Sequence, residues 1–460
     1  MLRTHTCGEL NEQFVEQEVT LCGWVQSRRD HGSVIFIDIR DRYGITQVVF
    51  VRGVSKEAYK VAKKLRMEDC IKVTGKVVLR NERAVNENIP TGYIELCAES
   101  AEVFSKADDL PFMIEDNSDA SEDTRLMYRF LDLRRPRMTG RMVLRHKIAQ
   151  SARSYLNSEN FLEIETPMLT KSTPEGARDF LVPSRMTPGE FYALPQSPQL
   201  FKQMLMVSGM DRYYQVARCF RDEDLRKDRQ PEFTQIDLEL SYAEEEDIYS
   251  VIEGMVRNIF KEALDYDLKT PFARMTYKEA MQKYGSDKPD PGGDEPYRFL
   301  WVTDFPLFKY DDDTQRWVSE HHPFTSPKAE DISSFDTDPG TMSSRSFDLV
   351  FNGNELGSGS VRIHDAQVQK KVFDLLNISE EEAEAKFGFL LRGFRYGPPP
   401  HAGFAVGLDR LAAIVTDSAS IREVIAFPKN QKGVCNMTEA PSKVSPSQLA
   451  ELGVRIVEAE

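Results

Sequence analysis

Two segments of the chain combine basic side chains with features that suit an anionic ligand, and the first surrounds Arg221. The sequence at 219–240 reads CFRDEDLRKDRQPEFTQIDLEL, in which apolar alternation predicts a strand before Arg221 and a second strand returning from Phe233. A guanidinium can form two parallel hydrogen bonds to a phosphate or carboxylate. An aromatic ring offers a face on which a base can stack. From spacing alone, a charged hairpin tip with surface ion pairs is an equally good interpretation.

The second segment is HAGFAVGLDRLAAI at 401–414, and a related acidic cluster precedes it. Arg410 lies near the start of an apolar helix that follows glycines, an arrangement that suits a polyphosphate tail. Before it, NELGSGSVRIHD at 354–365 brings Glu355 close in sequence to Asp348. Two carboxylates together with substrate phosphates suit Mg²⁺, and the glycines allow backbone to approach a ligand. Taken singly, each pattern also fits a glycine-rich turn or a packing motif.

Strand patterns fill most of the first hundred residues. They predict strands at 19–25, 33–40, 45–52, 70–79 and 92–97, with a helix at 56–66. Three strands, a helix and two strands is the order of a five-stranded oligonucleotide-binding (OB) barrel. In the second strand Ile35, Ile37 and Ile39 share one face, and Phe36 lies on the other.

Beyond residue 105 the pattern changes. Residues 106–136 form a charge-rich string that is typical of a linker. A helix is predicted from Arg141, with Leu144, Ile148, Ala152 and Leu156 repeating at helical spacing. Short strands then alternate with helices, the last clear helix being predicted at 366–376, and the acidic cluster at 380–384 is interpreted as solvated surface. The order of strands and helices along the chain therefore predicts a mixed α+β fold.

Composition excludes several classes of protein. The 460 residues have 40% hydrophobic and 29% charged side chains, which is typical of globular domains. No apolar run is long enough to span a bilayer, and the start MLRTHTCGELNEQ lacks a secretory pattern. The six cysteines have no CxxC spacing, which favours reduced thiols and a cytoplasmic location. Net charge is −15, but residues 1–105 are neutral, so any RNA contact must rest on local sites.

Together the segments resemble motifs 2 and 3 of class II aminoacyl-tRNA synthetases, and the helix from Arg141 with FLEIETPMLT, which contains Pro167, resembles motif 1. TPEGARDF, QSPQLFKQ, RQPEFTQID, HHPFTSP and GSGSVRIH are similar to the bacterial aspartyl-tRNA synthetases, over residues 3–430. The resemblance implies an OB-fold anticodon-binding domain at 1–105, a linker at 106–136 and a catalytic domain at 137–430. That domain would have an antiparallel sheet flanked by helices, followed by an extension at 431–460.

The resemblance also implies an active site for ATP and L-aspartate. ATP would contact Arg221, Asp222, Glu223, Gln230, Phe233, Glu355, Gly407, Leu408, Asp409 and Arg410. Of these, Arg221, Glu355 and Arg410 would be the catalytic residues, and Asp348 with Glu355 would hold Mg²⁺ with the nucleotide. Aspartate would contact Glu175, Gln199, Lys202, Arg221, Asp237, His321 and Arg362. Lys202 and Arg362 would clamp its side-chain carboxylate, which an amide cannot replace without leaving the two cations unpaired.

The implied RNA partner is tRNA(Asp), with no DNA and no membrane. Its anticodon would meet Arg29, His31, Phe36, Gln47 and Glu95. Phe36 would stack on a base, although in a barrel without this resemblance it would be expected in the core. His31 stands where many strict enzymes have leucine, which favours the alternative that tRNA(Asn) is also aspartylated.

One departure from the family concerns the segment between motifs 2 and 3. The inserted domain that usually follows YGSDKPD is absent, and a short loop near 288–297 replaces it, through natural loss or an engineered deletion. Motif 1 implies a homodimer. Two rival interpretations remain: an asparaginyl or lysyl enzyme of the same class, and a non-catalytic protein that uses the synthetase body as a regulator. The second would have lost motif arginines or metal acids, which this chain retains.

Overall fold

The computed structural model describes residues 1–173 and 177–457, and the chain divides into two compact units, Met1–Thr139 and Gly140–Glu460. Each unit has its own hydrophobic core. Within the described residues, no helix is both long enough and apolar enough to cross a membrane.

The first unit contains a closed barrel of five strands in the order β1–β2–β3–β5–β4. Its strands are β1 (Glu18–Asp30), β2 (Val34–Arg40), β3 (Ile45–Val51), β4 (Cys70–Leu79) and β5 (Ile94–Ser105), with helix α1 (Lys56–Ala62) between β3 and β4. Neighbouring strands are antiparallel except β3 and β5. Ile35, Ile37 and Ile39 are fully buried, so the alternation in β2 turns the isoleucines into the barrel. The predicted OB fold is confirmed.

Two boundaries in this unit differ from the predicted ones. Helix α1 ends at Ala62 instead of residue 66, because the chain turns and the amide of Arg66 donates to Oδ2 of Asp69. The predicted linker is not featureless: it contains α2 (Glu122–Met127) and α3 (Arg129–Asp132). Phe112, Ile114 and Leu131 form a small buried cluster there.

The second unit is built on an eight-stranded sheet in the order β11–β12–β15–β16–β17–β10–β9–β6. Its strands are β6 (Leu162–Glu163), β9 (Arg212–Phe220), β10 (Glu232–Ser241), β11 (Ala273–Thr276), β12 (Phe299–Thr303), β15 (Ser346–Phe351), β16 (Asn354–Val361) and β17 (His401–Gly407). Two separate hairpins join β7 (Leu181–Pro183) to β8 (Phe191–Ala193) and β13 (Phe308–Asp311) to β14 (Arg316–Ser319). The six strands from β12 to β9 are antiparallel throughout, as predicted.

Helices flank this sheet. The helices of this part of the chain are α4 (Pro136–Ser158), α5 (Gln199–Val207), α6 (Glu245–Leu264), α7 (Tyr277–Tyr284), α8 (Ala366–Leu375), α9 (Glu380–Phe394), α10 (Leu408–Val415) and α11 (Pro446–Glu451). Of these, α4, α6 and α10 contribute residues to the main core, whereas α11 has no buried residue. Helix α4 begins before the predicted Arg141, at a proline, which the first turn of a helix accepts because no amide hydrogen is needed there. Ile148, Ala152 and Leu156 of α4 lie in the main core, as their spacing predicts.

The acidic side chains at 380–384 are largely exposed, as interpreted, and they also form the first turns of α9. Ser379 caps this helix by accepting a hydrogen bond from the amide of Glu382. Acidic side chains are favourable at a helix N-terminus, where the helix dipole is positive. Ala383, Phe387 and Leu390 of the same helix are buried, so α9 contributes one apolar face to a satellite core.

Candidate active site and nucleic-acid interface

The β9–β10 hairpin places Arg221 and Phe233 side by side. Cys219 pairs with Phe233 in the antiparallel register, and the loop at 221–231 joins the two strands. The amide of Arg221 donates to the carbonyl of Pro231, at 2.9 Å. The Arg221 guanidinium lies 5.0 Å from the centre of the Phe233 ring. A cation and an aromatic face therefore line the same side of the hairpin.

A cavity of about 480 Å³ opens beside this hairpin and collects side chains from distant parts of the sequence. The predicted site residues that line it are Gln199, Lys202, Arg221, Glu223, Gln230, Phe233, Asp237, His321, Glu355, Arg362, Gly407, Asp409 and Arg410. Strands β10, β16 and β17 run next to one another in the sheet, which explains how residues far apart in sequence meet here.

Four predicted residues do not line this cavity or cannot be placed in it. Asp222 is exposed, and its carboxylate lies 3.6 Å from Arg178. Leu408 is the first residue of α10, and its side chain is fully buried in the main core. Asp348 is buried, with Oδ1 3.5 Å from Nε2 of His321. Glu175 lies outside the described residues.

Lys202 and Arg362 meet two buried carboxylates at one end of the cavity. The Lys202 ammonium lies 2.9 Å from Asp237 and 3.1 Å from Glu239. Arg362 donates from Nε to Glu239 at 3.0 Å and from NH1 to the Ser360 hydroxyl at 2.6 Å. Lys202 is 1% exposed, whereas most lysines in proteins lie at the surface. Cations and carboxylates alternate in a water-poor cluster.

Glu239 is a site residue that the sequence analysis missed. Along β10 the side chains of Gln235, Asp237 and Glu239 follow one another at every second position, and so share one face of the strand. A polar residue at each of these positions in a central strand was the available signal. Gly403 lies opposite in β17, where a Cβ atom would stand 1.7 Å from a Glu239 carboxylate oxygen, so only glycine leaves room for it.

The two carboxylates of this cluster have pKa values shifted in opposite directions. Burial alone would raise the pKa of Glu239, but Arg362 and Lys202 outweigh it and hold that pKa at about 2. Burial raises the pKa of Asp237 above its ordinary value, and Lys202 offsets this only in part. Glu239 is therefore the more firmly ionised of the pair.

We expect Glu239 to stabilise the fold in a pH-dependent manner. Its folded pKa of about 2 is below the ordinary 4.5, so its contribution is complete above pH 4.5 and is lost as pH falls toward 2. Glu239→Gln should lower the free energy of unfolding at pH 7 by about 3 kcal/mol. Urea unfolding of both proteins from pH 7 to 3.5 measures the difference, which should shrink below pH 4.5. A difference that stays constant over this range would contradict the assignment.

Arg410 and Asp409, at the start of α10, frame another side of the cavity. Arg410 donates from NH1 to the backbone carbonyl of Glu355, and its NH2 lies 3.6 Å from Asp228. Asp409 is buried and accepts a hydrogen bond from the amide of Thr234 at 2.8 Å. This bond ties the start of α10 to β10. Arg410 is thereby held at the cavity with its guanidinium partly exposed.

Gln230 and the glycines of β16 also have structural contacts. The Gln230 amide group bonds the backbone of Lys429 in both directions, at 2.8 and 3.0 Å. A Cβ atom on Gly357 would stand 2.3 Å from the carbonyl of Ala405, and one on Gly359 would stand 2.3 Å from that of Gly403. Both glycines line the cavity, but it is the neighbouring strand β17 that leaves no room for a Cβ atom at these positions.

Another part of the site contains two carboxylates, those of Glu355 and Asp348, together with the imidazole of His321. Glu355 Oε2 lies 2.9 Å from the Lys288 ammonium. Burial opposes ionisation of Glu355, but Lys288 and then Arg410 lower its pKa below the ordinary value. Burial would lower the pKa of His321, but Asp348 raises it. No group of three or more potential metal-ligating side chains occurs among the described residues.

A second cavity, of about 460 Å³, lies on the outer face of the barrel, and four of the five predicted anticodon residues line it, Glu95 being the exception. Arg29 donates to Gln47 at 2.9 Å, and Gln47 donates to Glu95 at 2.6 Å, which links β1, β3 and β5. The rings of His31 and Phe36 meet edge to face, 5.7 Å apart. Phe36 is half-buried on the outer face, so it is not a core residue.

Arg80 is a further residue of this face that the sequence analysis missed. It lines the same cavity and is 8% exposed. Its Nε donates to the carbonyl of Ile94 at 2.8 Å, whereas its buried NH2 has no hydrogen-bond partner in the part of the chain that the structure describes. A buried guanidinium nitrogen without a partner is costly, and sequence position alone gave no sign of its burial.

Comparison with known proteins agrees with this architecture. Residues 121–431 match the family model described as tRNA synthetases class II (D, K and N), and residues 19–104 match that of the OB-fold nucleic acid binding domain. The chain therefore belongs to the class II tRNA synthetases of the D, K and N group. Enzymes of this family are ligases that use ATP, an amino acid and tRNA.

Two curated relatives are similar to this chain over almost its whole length. The aspartate–tRNA(Asp/Asn) ligase of Caldanaerobacter subterraneus subsp. tengcongensis is 44% identical over 581 positions, which cover 99% of this chain and 98% of the relative. The aspartate–tRNA ligase of Clostridium tetani is 42% identical over 583 positions, with 99% and 98% covered. These alignments are longer than the chain's 460 residues, so the relatives have well over a hundred residues without a counterpart here.

Solved structures share the fold. The asparaginyl-tRNA synthetase of Pyrococcus horikoshii complexed with asparaginyl-adenylate has a TM-score of 0.76 and 24% identity, and covers 97% of this chain and 100% of its own. A putative aspartyl-tRNA synthetase of Leishmania major Friedlin has a TM-score of 0.76 and 20% identity, with 96% and 94% covered. At these identities the likeness concerns the fold alone.

Proposed function

We propose that this chain is an aspartate–tRNA ligase. It activates L-aspartate with ATP to aspartyl-adenylate and pyrophosphate, and then transfers aspartate to the 3′-terminal adenosine of tRNA(Asp). The observation that carries the proposal is the pair of cations, Lys202 and Arg362, in the cavity that also contains Arg221 and Arg410. A substrate with a side-chain carboxylate is the amino acid that such a pair selects.

In the activation step the substrate carboxylate is the nucleophile, so no protein nucleophile is required. Arg221 contacts the α-phosphate and the attacking carboxylate, and stabilises the charge that develops between them. Arg410 holds the γ-phosphate, and Phe233 stacks on adenine. Positioning and electrostatics supply the catalysis. The contacts of Asp222, Glu223, Gln230, Gly407, Leu408 and Asp409 with ATP belong to the same proposal.

Asp348 and Glu355 are the residues that would hold Mg²⁺ with the nucleotide. Their donor set fits the ion, since Mg²⁺ takes one or two carboxylates and completes its shell with phosphate oxygens and water. When bound, it neutralises charge on the phosphates. Its removal by a chelator should therefore stop adenylate formation.

The aspartate pocket uses residues around the buried cluster. Lys202 and Arg362 hold the side-chain carboxylate, while Gln199, Asp237 and Glu175 surround the ammonium group and His321 closes over the substrate. Gln199 supports this arrangement, because it is 7% exposed and its Nε2 has no hydrogen-bond partner within the described ranges. A buried amide that lacks a partner suits a polar ligand.

The barrel reads the anticodon by stacking on Phe36 and by hydrogen bonds of Arg29, Gln47 and Glu95 with base edges, in which the Glu95 carboxylate accepts. A second candidate function is relaxed specificity toward tRNA(Asn), which His31 and the name of the Caldanaerobacter relative, an aspartate–tRNA(Asp/Asn) ligase, both favour. Aspartylation of purified tRNA(Asp) and tRNA(Asn) tests both. Charging of neither would refute the ligase, and a preference above a hundredfold for tRNA(Asp) would refute the relaxed form.

Phe36→Ala should separate tRNA recognition from amino-acid activation. Loss of one stacked base costs about 1–3 kcal/mol, so kcat/KM for tRNA aspartylation should fall roughly 10- to 100-fold. Pyrophosphate exchange without tRNA should be unchanged. Phe104→Ala is the matched control, because Phe104 is also a half-exposed aromatic residue of the barrel but does not line the cavity. Equal losses in both variants would contradict a specific role for Phe36.

Assembly and location complete the proposal. We infer a cytoplasmic homodimer whose interface includes α4 and the Pro167 segment, buried against the same surface of a second copy. The loop at 288–297 is inferred to be the point at which the relatives carry their additional residues. Light scattering coupled to size-exclusion chromatography tests the dimer, and a mass of 52.6 kDa would indicate a monomer instead.

A further inference from the structure

Lys288 brings a cation into the active-site cavity from the short loop that joins α7 to β12. Its ammonium lies 2.9 Å from Oε2 of Glu355, and its side chain is 42% exposed. It lines the cavity together with Arg221 and Arg410. It lies outside the stretches 219–240, 354–365 and 401–414, which suggested the active site.

The loop that carries Lys288 is attached to the sheet by hydrogen bonds. Asp290 accepts two hydrogen bonds from Arg298, at 2.7 and 2.6 Å. The side chain of Asn352, in the turn between β15 and β16, accepts from the amide of Arg298 at 2.8 Å and donates to the carbonyl of Pro296 at 2.9 Å. The backbone at Lys288 is therefore anchored beside Glu355, while its long side chain is partly exposed.

The Glu355 carboxylate lies between two cations, with Lys288 on one oxygen and Arg410 at 3.9 Å from the other. Glu355 is one of the two carboxylates proposed to hold Mg²⁺. An ammonium on this carboxylate occupies a position next to the place where a metal ion and phosphates would meet. Lysine suits exchange between anionic partners, because it is a point charge with three donors on a flexible stem.

We propose that Lys288 is a further binding residue of the activation reaction, one that moves from Glu355 to the β- and γ-phosphates when Mg²⁺ and ATP bind. This inference rests on the proposed function. As a carboxylate oxygen of aspartate bonds to the α-phosphorus, the bond from that phosphorus to the bridging oxygen breaks. Its electron pair leaves with pyrophosphate, and the Lys288 ammonium offsets the charge that accumulates there.

A purely structural ion pair is the alternative. Both partners are partly exposed, and such pairs contribute little to stability. Loss of Lys288 should therefore leave the melting temperature almost unchanged under either interpretation, and the variant should fold. The affinities of the variant for ATP and for pyrophosphate distinguish a binding residue from a structural ion pair.

The test compares Lys288→Gln and Lys288→Arg with a control, Lys269→Gln. The control removes an exposed lysine ion pair with Glu295, a residue of the same loop as Lys288. Pyrophosphate exchange gives KM for ATP and for aspartate, and calorimetry gives Kd for inorganic pyrophosphate with Mg²⁺. For Lys288→Gln we expect both KM for ATP and Kd for pyrophosphate to rise at least tenfold, since a hydrogen bond to a charged group is lost. KM for aspartate should change less than twofold, and Lys288→Arg should recover most of the loss.

Unchanged KM for ATP and unchanged pyrophosphate affinity in Lys288→Gln would overturn the inference, as would an equal rise in KM for aspartate. The unmodified protein separates this failure from that of the proposed function. If it shows aspartate-dependent exchange, only the role of Lys288 is refuted. If it shows none, the proposed function itself fails.

Discussion

Replacing Arg221 with glutamine is expected to reduce aspartate-dependent pyrophosphate exchange by roughly 10³-fold, or about 4 kcal/mol in the activation barrier. Arg221 is the cation at the end of β9, at the opening of the hairpin loop, and its guanidinium is held over Phe233. In the proposed reaction it contacts both the α-phosphate and the attacking carboxylate. Removing it withdraws stabilisation from the transition state more than from the bound substrates.

The loss should appear mainly in kcat, with a smaller rise in KM for ATP. Arg218→Gln is the matched control, because Arg218 lies on the same strand, is exposed and pairs with Glu232 at the surface. Exchange by this control should stay within twofold of the unmodified protein. An Arg221→Gln variant that retains more than a tenth of the activity would place the reacting phosphate elsewhere.

Lys202→Gln is expected to lower kcat/KM for aspartate by about 10³-fold and also to destabilise the fold. The ammonium of Lys202 neutralises Asp237 and Glu239, both of which are buried. Its removal leaves buried negative charge without a full partner, which costs about 3–5 kcal/mol. The aspartate side chain loses one of two cations at the same time. Chemical unfolding and exchange kinetics measure the two effects separately.

Lys278→Gln is a suitable control, because Lys278 is exposed on α7. It should change the free energy of unfolding by less than about 0.5 kcal/mol. Asparagine should not become a good substrate of Lys202→Gln, since Arg362 and the buried carboxylates remain. A variant as stable and as active as the control would show that Lys202 is not the buried clamp of the pocket.

The sequence predicted the barrel and the β9–β10 hairpin well because both depend on local patterns. In β2, alternation alone assigned the isoleucines to the interior, and the structure buries all three. Arg221 could be placed at the end of its strand for the same reason. The family resemblance predicted that Arg362 and Arg410 belong to one site, although nothing in the sequence between them indicates it. Both residues line the same cavity.

The features of the site that the sequence did not indicate depend on tertiary contacts. The burial of Lys202 depends on two carboxylates from β10, and one of these, Glu239, was not recognised. Lys288 lies in a loop, and only the packing of that loop on the turn at Asn352 brings it to Glu355. Helix α9 was missed because its first turn is acidic, a pattern that solvated surface shares.

The central claim is that the cavity activates aspartate, and the most direct measurement is ATP–pyrophosphate exchange with aspartate, asparagine and lysine in turn. Aspartate should support exchange at least 100-fold better than either of the others, because, of the three amino acids, only aspartate has a side-chain negative charge for Lys202 and Arg362 to attract. Exchange that is equal or faster with asparagine or lysine, or absent with all three, would contradict the account.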